Sequence, residues 1–247
     1  MSTIRYEQRG RVGWLWLDRP NRLNAQNAQM AGEIISLLDT LVEENATGAL
    51  VVIGVGDSFS TGLDLDEAGS TMTGDHVARL AGVPFPTVAA IRGFALGGGL
   101  ELALACDVRV AAEGATLGLP EVSLGILPGW GGTQRLPRIA GPAFASELIL
   151  TADPVSAERA AAAGLVNRLV PGDRLEAEAG ALAETMARLA PIASQYAKEA
   201  IHSGLDLPLP HALELEGDLY VLLESTADRL EGIDAFRQKR PPVWRGR

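Results

Sequence analysis

The sequence predicts an α/β protein built from repeated strand, strand, helix units that stack on one another, followed by a purely helical C-terminal region. Three observations carry that reading. Residues 49–55 and 87–91 are short, uninterrupted apolar runs, the pattern of strands covered on both faces. Between such runs apolar residues recur at helical spacing, first at Met30, Ile34, Leu37, Leu38 and Leu41. From Pro191 onward no strand pattern remains, so a mixed domain is expected over residues 1–190 and a helical appendage over 191–247.

Taken in order, residues 4–9 and 12–17 are β-like runs joined at Gly10 and Arg11, an opening hairpin. Asp18-Arg19-Pro20-Asn21 breaks the pattern before a helix over 27–44, and Gly48 follows its end. Gly56 stops the strand 49–55. Residues 59–67 read as a turn opening a helix, and 69–74 as a polar, small-residue stretch expected to be mobile. Pro84 and Pro86 precede the strand 87–91. After a glycine-rich helix, 107–112 reads as a strand, 116–118 as a short extended piece, and a helix begins at Gly129 or Trp130. Helices are expected over 143–150, 157–163 and 175–189, with a strand at 165–170. Three more helices are expected over 192–203, 211–223 and 226–239, and Pro241 and Pro242 keep the tail out of a regular helix. Strand order does not follow from this pattern.

With 247 residues, 47% hydrophobic and 21% charged, the chain can bury a sizeable core. A net charge of −10 excludes a general binder of nucleic acid or anionic membranes, whose surface would be basic. A polyphosphate ligand would have to find its own few cations. No apolar run is long enough to span a bilayer, and residues 1–11 lack the apolar core of a signal peptide. The single cysteine, Cys106, permits no internal disulfide, and His76, His202 and His211 show no metal-ligand spacing. A reduced, metal-free cytoplasmic protein is therefore expected. Cys106 follows Leu102 and Ala103 on an apolar helix and reads as a core residue.

Residues 91–138 carry the chemistry. Gly97, Gly98 and Gly99 run directly into Leu100, Leu102, Ala103, Leu104 and Ala105. Bare backbone N–H groups therefore stand at a helix start, where developing negative charge is best stabilised. Inside that apolar start lies Glu101, and a second carboxylate, Glu121, follows Pro120. Carboxylates in such surroundings are costly unless exposed, paired or employed. Taken alone, Glu101 reads equally as a first-turn residue facing water, and the glycines as a close helix packing.

Together these motifs resemble the crotonase superfamily, the enoyl-CoA hydratases and isomerases, over nearly the whole chain and most specifically over 91–138. The resemblance implies a stacked ββα spiral core and a C-terminal helical trimerisation region, with homotrimers often paired into hexamers. Ser60-Thr61-Gly62-Leu63-Asp64-Leu65 resembles the family's first oxyanion segment and Gly97-Gly98-Gly99 its second, making the N–H groups of Leu63 and Gly98 the implied donors to a thioester carbonyl. Such a donor is typically worth ~3 kcal/mol of barrier. Glu101 and Glu121 match both catalytic acids of the hydratases, and Gly129, in Pro128-Gly129-Trp130-Gly131-Gly132, matches the backbone N–H that helps hold water. Two neighbouring carboxyls share charge unequally, which supplies a base and an acid.

Arg19-Pro20-Asn21-Arg22-Leu23-Asn24-Ala25 resembles the segment along the pantetheine and nucleotide. Arg22 is the implied phosphate contact, with Leu23, Ala25, Thr61, Gly62, Asp64, Leu65, Gly97 and Pro120 completing the CoA-ester site. Because both glutamates are kept, the implied reaction is reversible syn addition of water to a trans-2-enoyl-CoA, with CoA as part of the substrate and no separate cofactor. Double-bond isomerisation, or another enolate reaction, is the alternative. The chain departs from the pattern at Asp66, where many hydratases have lysine, and this weakens the expected phosphate site. Arg237, Lys239 and Arg240 are candidates to compensate, beside their plainer reading as a charged helix end. Residues 66–86 are shorter than the family norm, so acyl-chain preference does not transfer.

Rival readings fare worse. A non-catalytic CoA- or RNA-binding member fits neither the acidic balance nor the intact carboxylate pair. The frame at Ser123 has Glu121 where a nucleophile elbow needs glycine, and Gly54-Val55-Gly56 lacks the third glycine of a dinucleotide fingerprint.

Overall fold

The computed structural model describes residues 2–67 and 74–247. β1 (Ile4–Arg9) and β2 (Val12–Leu17) form the expected antiparallel hairpin, with Ile4 opposite Leu17 and Arg9 opposite Val12. α1 (Ala28–Glu44) is capped by the Asn27 side chain, which accepts from Met30 N at 3.0 Å, and it buries Met30, Ile34, Leu38 and Leu41. That cap is worth ~1 kcal/mol, and each fully buried aliphatic side chain roughly 1.5–3 kcal/mol.

β3 (Ala49–Gly54), β4 (Thr87–Ile91), β6 (Val108–Ala112) and β9 (Arg168–Val170) follow in one sheet of order β1-β2-β3-β4-β6-β9, parallel after the hairpin. A second sheet has the order β5-β7-β8, from Phe94–Leu96, Thr116–Gly118 and Val155–Ser156. Side-chain alternation divides the large sheet's burial in two. Leu15, Leu17, Leu50, Val52 and Ala89 share one core with α1 and α3 (Gly98–Ala105), while Trp14, Val51, Ile53, Val88 and Val110 pack on Ala179 and Ala183 of α7 (Leu175–Ala187). Burial on both faces explains why β3 and β4 read as unbroken apolar runs.

Isolated bridges continue the small sheet through the loops. Gln26 pairs with Leu63, Ser60 with Ala95, and Ala95 with Leu117 in β7, all parallel. Each turn of chain thus adds a rung to both sheets, which is the stacked spiral expected from the sequence.

The described differences from the expected elements have local causes. α2 (Asp75–Ala81) is a seven-residue helix between Gly74 and Gly82, too short for its apolar spacing to register in the sequence. Residues 59–67 close in a single 3-10 turn, Leu65–Glu67, instead of opening a helix there. The expected mobile stretch lies, for residues 69–73, outside the described residues. α4 (Gly132–Ala140) starts later than Gly129 or Trp130, because Gly131 takes φ 109 and the Trp130 and Gly132 amides donate to Glu101. The strand expected over 165–170 shrinks to β9, since the Leu165 and Val166 amides donate to Ala160 O at the end of α6 (Ala157–Ala162).

α5 (Pro142–Thr151) precedes β8. The C-terminal helices are α8 (Pro191–Gly204), α9 (Leu209–Glu224) and α10 (Ala227–Gln238), within two residues of expectation. Lys198 ties α8 to the core through Asp107 at 2.9 Å and Phe85 O at 3.2 Å. Tyr220, Val221, Leu230 and Phe236 stay exposed, Phe236 at 86%. No described helix is long and apolar enough to cross a membrane.

Candidate active site

The rungs of the spiral decide which residues meet. Ser60 pairs with Ala95, so three residues further along each segment Leu63 comes level with Gly98. The contact is tight: a Cβ on Gly62, which has φ 89, would stand 2.7 Å from Gly98 N and 2.8 Å from Leu96 O. Only glycine fits there. Gly62 O accepts from Gln26 N and Asp64 N donates to Gln26 O, at 2.7 and 2.9 Å, and the intervening Leu63 peptide faces the opposite way, as alternate peptides of an extended segment do. Gly98 is the first residue of α3, where an N–H has no intrahelical acceptor. Leu63 and Gly98 both line the cavity at the α3 N-terminus, whose dipole favours negative charge.

Glu101 and Glu121 line a cavity of about 230 Å³ with Thr61, Leu63, Leu65, Gly97, Gly98, Pro120 and Gly129. Glu101 is buried, and its Oε1 accepts from Trp130 N and Gly132 N, each at 2.7 Å. Burial pushes its carboxyl above the usual range, while these two N–H groups and the Arg135 charge pull back toward the ionised form. Glu121 sits at the start of the 3-10 turn Pro120–Leu124. Its Oε2 is buried without a hydrogen-bond partner among the described residues. Burial, with the Glu101 charge adding to it, pushes Glu121 up to about 7. The arrangement can therefore hold one anchored carboxylate and one carboxylic acid in a single cavity near neutral pH.

The remaining expected positions flank the cavity. The segment Pro20–Arg22 is a 3-10 turn capped by Leu23, which takes φ 49 and is exposed, while Ala25 is buried. Asp64 is buried against Arg19 at 2.8 Å; burial would raise its carboxyl, and the Arg19 bonds hold it below the ordinary value. Arg22 pairs with Asp66 at 2.7 Å. Arg22, Leu23, Ala25, Gly62 and Asp64 do not line the cavity itself. Cys106 is buried, and burial pushes its thiol up to about 12, as befits a core residue.

Some contributors went unread in the sequence. Trp130 lines the cavity, His76 stands edge-on to its ring, and exposed Leu124, Ile126 and Leu127 make an apolar lip. The apolar cluster 124–127 was the available signal. His76 had none, lying in a helix too short to read.

The fold and site define a class first: a spiral α/β protein that gathers helix-start N–H donors and two carboxyls at the joint between successive turns. The chain belongs to the enoyl-CoA hydratase/isomerase family, whose model matches residues 7–247. It is 40% identical over 255 residues to the 2,3-dehydroadipyl-CoA hydratase of Escherichia coli (strain K12), covering 100% of both chains. The crystal structure of an enoyl-CoA hydratase from Bacillus anthracis superposes with a TM-score of 0.96 at 39% identity, covering 99% of this chain and 100% of that one. That of an enoyl-CoA hydratase from Mycobacterium tuberculosis H37Rv gives 0.95 at 33% identity, covering 100% of each. The crotonase-like fold expected from the sequence is borne out.

Proposed function

We propose that the protein is an enoyl-CoA hydratase, adding water to a trans-2-enoyl-CoA to give a 3-hydroxyacyl-CoA. The observation that carries this reading is the unequal carboxyl pair, Glu101 anchored by two N–H groups and Glu121 raised to about 7, in one cavity with Leu63 and Gly98. The thioester carbonyl oxygen accepts from the Leu63 and Gly98 N–H groups. Glu101 takes a proton from water as its oxygen bonds to Cβ, and the π electrons move onto the carbonyl oxygen as an enolate. Glu121 then delivers its proton to Cα. The pair is restored by passing the proton held on Glu101 to Glu121. Charge develops where the two donors point, which is how such a site lowers a barrier. The Gly129 N–H holds the attacking water in this scheme.

CoA is part of the substrate in this reading and no further cofactor is invoked. The nucleotide end lies along the 3-10 turn at Arg22, with Leu23 and Ala25 beside it. Residues 191–247 form the assembly region of a homotrimer or a dimer of trimers, a role supported by the exposed apolar residues of α9 and α10. An acyl-CoA substrate and a free Cys106 suit the cytoplasm.

The test is loss of enoyl-thioester absorbance from trans-2-butenoyl-CoA, with 3-hydroxybutanoyl-CoA identified as product. Conversion of a trans-3-enoyl-CoA without hydration would assign an isomerase and overturn the hydratase reading.

A further inference from the structure

Trp130 stands between two cavities. On one side is the 230 Å³ space that holds Glu101, Glu121, Leu63 and Gly98. On the other is a larger one, about 690 Å³, bounded by α2, the C-terminal end of α3, α4 and α8, with Ala78, Leu104 and Ile139 among its walls. Gly129 and Trp130 are the described residues that border both.

The indole is held from three directions. Its six-membered ring lies so close over Gly98 that a Cβ there would stand 2.0 Å from it, and its five-membered edge would lie 2.5 Å from a Cβ on Gly74. The His76 ring abuts it edge-on, centroids 5.0 Å apart at 77°. His76 is itself fixed: it is buried, and its Nε2 lies 2.7 Å from Gln26 Oε1. Gln26 Nε2 donates to Ser60 Oγ, which leaves Oε1 as the acceptor and puts the imidazole proton on Nε2. Burial keeps this imidazole neutral, its pKa lowered to about 4. Packed against Gly98, Gly74 and the fixed His76 ring, the indole forms a wall between the two cavities.

The six-membered ring of Trp130 lies against Gly98 in the cavity wall, where it stands next to any acyl group whose carbonyl oxygen rests on the Gly98 N–H. We propose that Trp130 is the acyl-length stop of this enzyme. Four-carbon enoyl groups fit in front of the indole, extended chains meet it, and the cavity behind is the room a longer chain would fill if the ring were removed. The inference rests on the enoyl-CoA hydratase reading and names its substrate class as short-chain enoyl-CoA.

The experiment compares kcat/KM for trans-2-butenoyl-CoA and trans-2-decenoyl-CoA in the wild type, Trp130→Ala and Trp130→Leu. The wild type is expected to favour the butenoyl ester at least tenfold, and Trp130→Ala to raise the decenoyl-to-butenoyl ratio by at least tenfold. Each newly buried methylene contributes about fourfold in binding, so a six-carbon extension exceeds this comfortably. Trp130→Leu, which keeps an apolar side chain, should shift the ratio the same way and serves if the alanine variant does not fold. Ala78 follows Gly74 by one helical turn and faces the rear cavity. Adding Ala78→Phe to Trp130→Ala should bring the ratio back down; a ratio left high would mean mere loosening of the site and overturn the proposal. Equal use of both esters by the wild type, or a ratio unmoved by either Trp130 variant, would overturn it too while leaving the hydratase reading intact. If nothing is hydrated, that reading fails, and calorimetric binding of butanoyl-CoA and decanoyl-CoA decides the rest. Tighter decanoyl-CoA binding in Trp130→Ala alone supports the stop, and unchanged binding rejects it.

Discussion

Arg22, on the 3-10 turn Pro20–Arg22, and Asp66, on the 3-10 turn that begins at the cavity-lining Leu65, form an ion pair, Nη2 to Oδ2 at 2.7 Å. Both side chains are more than half exposed, so the pair itself is worth at most ~1 kcal/mol. Its consequence is competition: a CoA phosphate approaching Arg22 meets a carboxylate already there. Asp66→Asn is expected to lower KM for CoA esters by about two- to fivefold at low salt, an advantage that shrinks as ionic strength rises. An N-acetylcysteamine thioester, which has no phosphates, should show no change. Equal gains for both esters would remove Arg22 from the phosphate site.

Glu101→Gln separates chemistry from packing. The amide oxygen can still accept from Trp130 and Gly132, so stability should stay within about 1 kcal/mol of wild type. Removal of the base should lower kcat by roughly 10²- to 10⁴-fold. Denaturant unfolding and steady-state kinetics on one preparation check the two halves. Wild-type turnover in this variant would end the proposed role.

The pH dependence follows from Glu121, raised by burial from 4.5 to about 7. Below 4.5 the group is protonated whether the chain is folded or not, so its burial as a neutral acid carries no ionisation penalty. Between 4.5 and about 7 the unfolded chain loses this proton and the folded one keeps it, so stability falls across that window and levels off above it. Glu121→Gln should therefore gain Tm relative to wild type as pH rises through the window, with no further gain beyond. Turnover in the hydration direction should fall as pH passes about 7, because the acid that protonates Cα is lost. A difference in Tm that is flat with pH would contradict the raised value.

Phe236, 86% exposed on α10, and Tyr220 and Val221 on α9 leave an apolar surface at the end of the chain. Light scattering after size exclusion should give a multiple of the monomer mass for the wild type, and Phe236→Glu should shift it toward the monomer. A wild type that is already monomeric would remove residues 191–247 from any assembly role.

Much of this protein was legible in order of sequence. β3 and β4 show as unbroken apolar runs because both of their faces are covered, and α1 shows by its helical spacing with Gly48 after its end. α4 begins later than its local pattern suggests because Gly131 takes a left-handed conformation and the Trp130 and Gly132 amides serve Glu101, a partner some thirty positions earlier in the chain. α2 escaped because a seven-residue helix offers barely two turns of periodicity.

Which chemistry is available can be read from residue type alone: two carboxylates among apolar residues, glycines at a helix start, a turn glycine before Leu63, and too few cations for a polyanion surface. Those are properties of residue type and near neighbours, and local periodicity encodes them. Which residues face one another is set by the folded chain. The pairing of Ser60 with Ala95 puts Leu63 beside Gly98, the cavity brings Glu121 into the field of Glu101, Asp66 occupies Arg22, and Trp130 is wedged between Gly98, Gly74 and His76. Such contacts depend on strand order and register between distant segments, which a single strand's pattern does not contain.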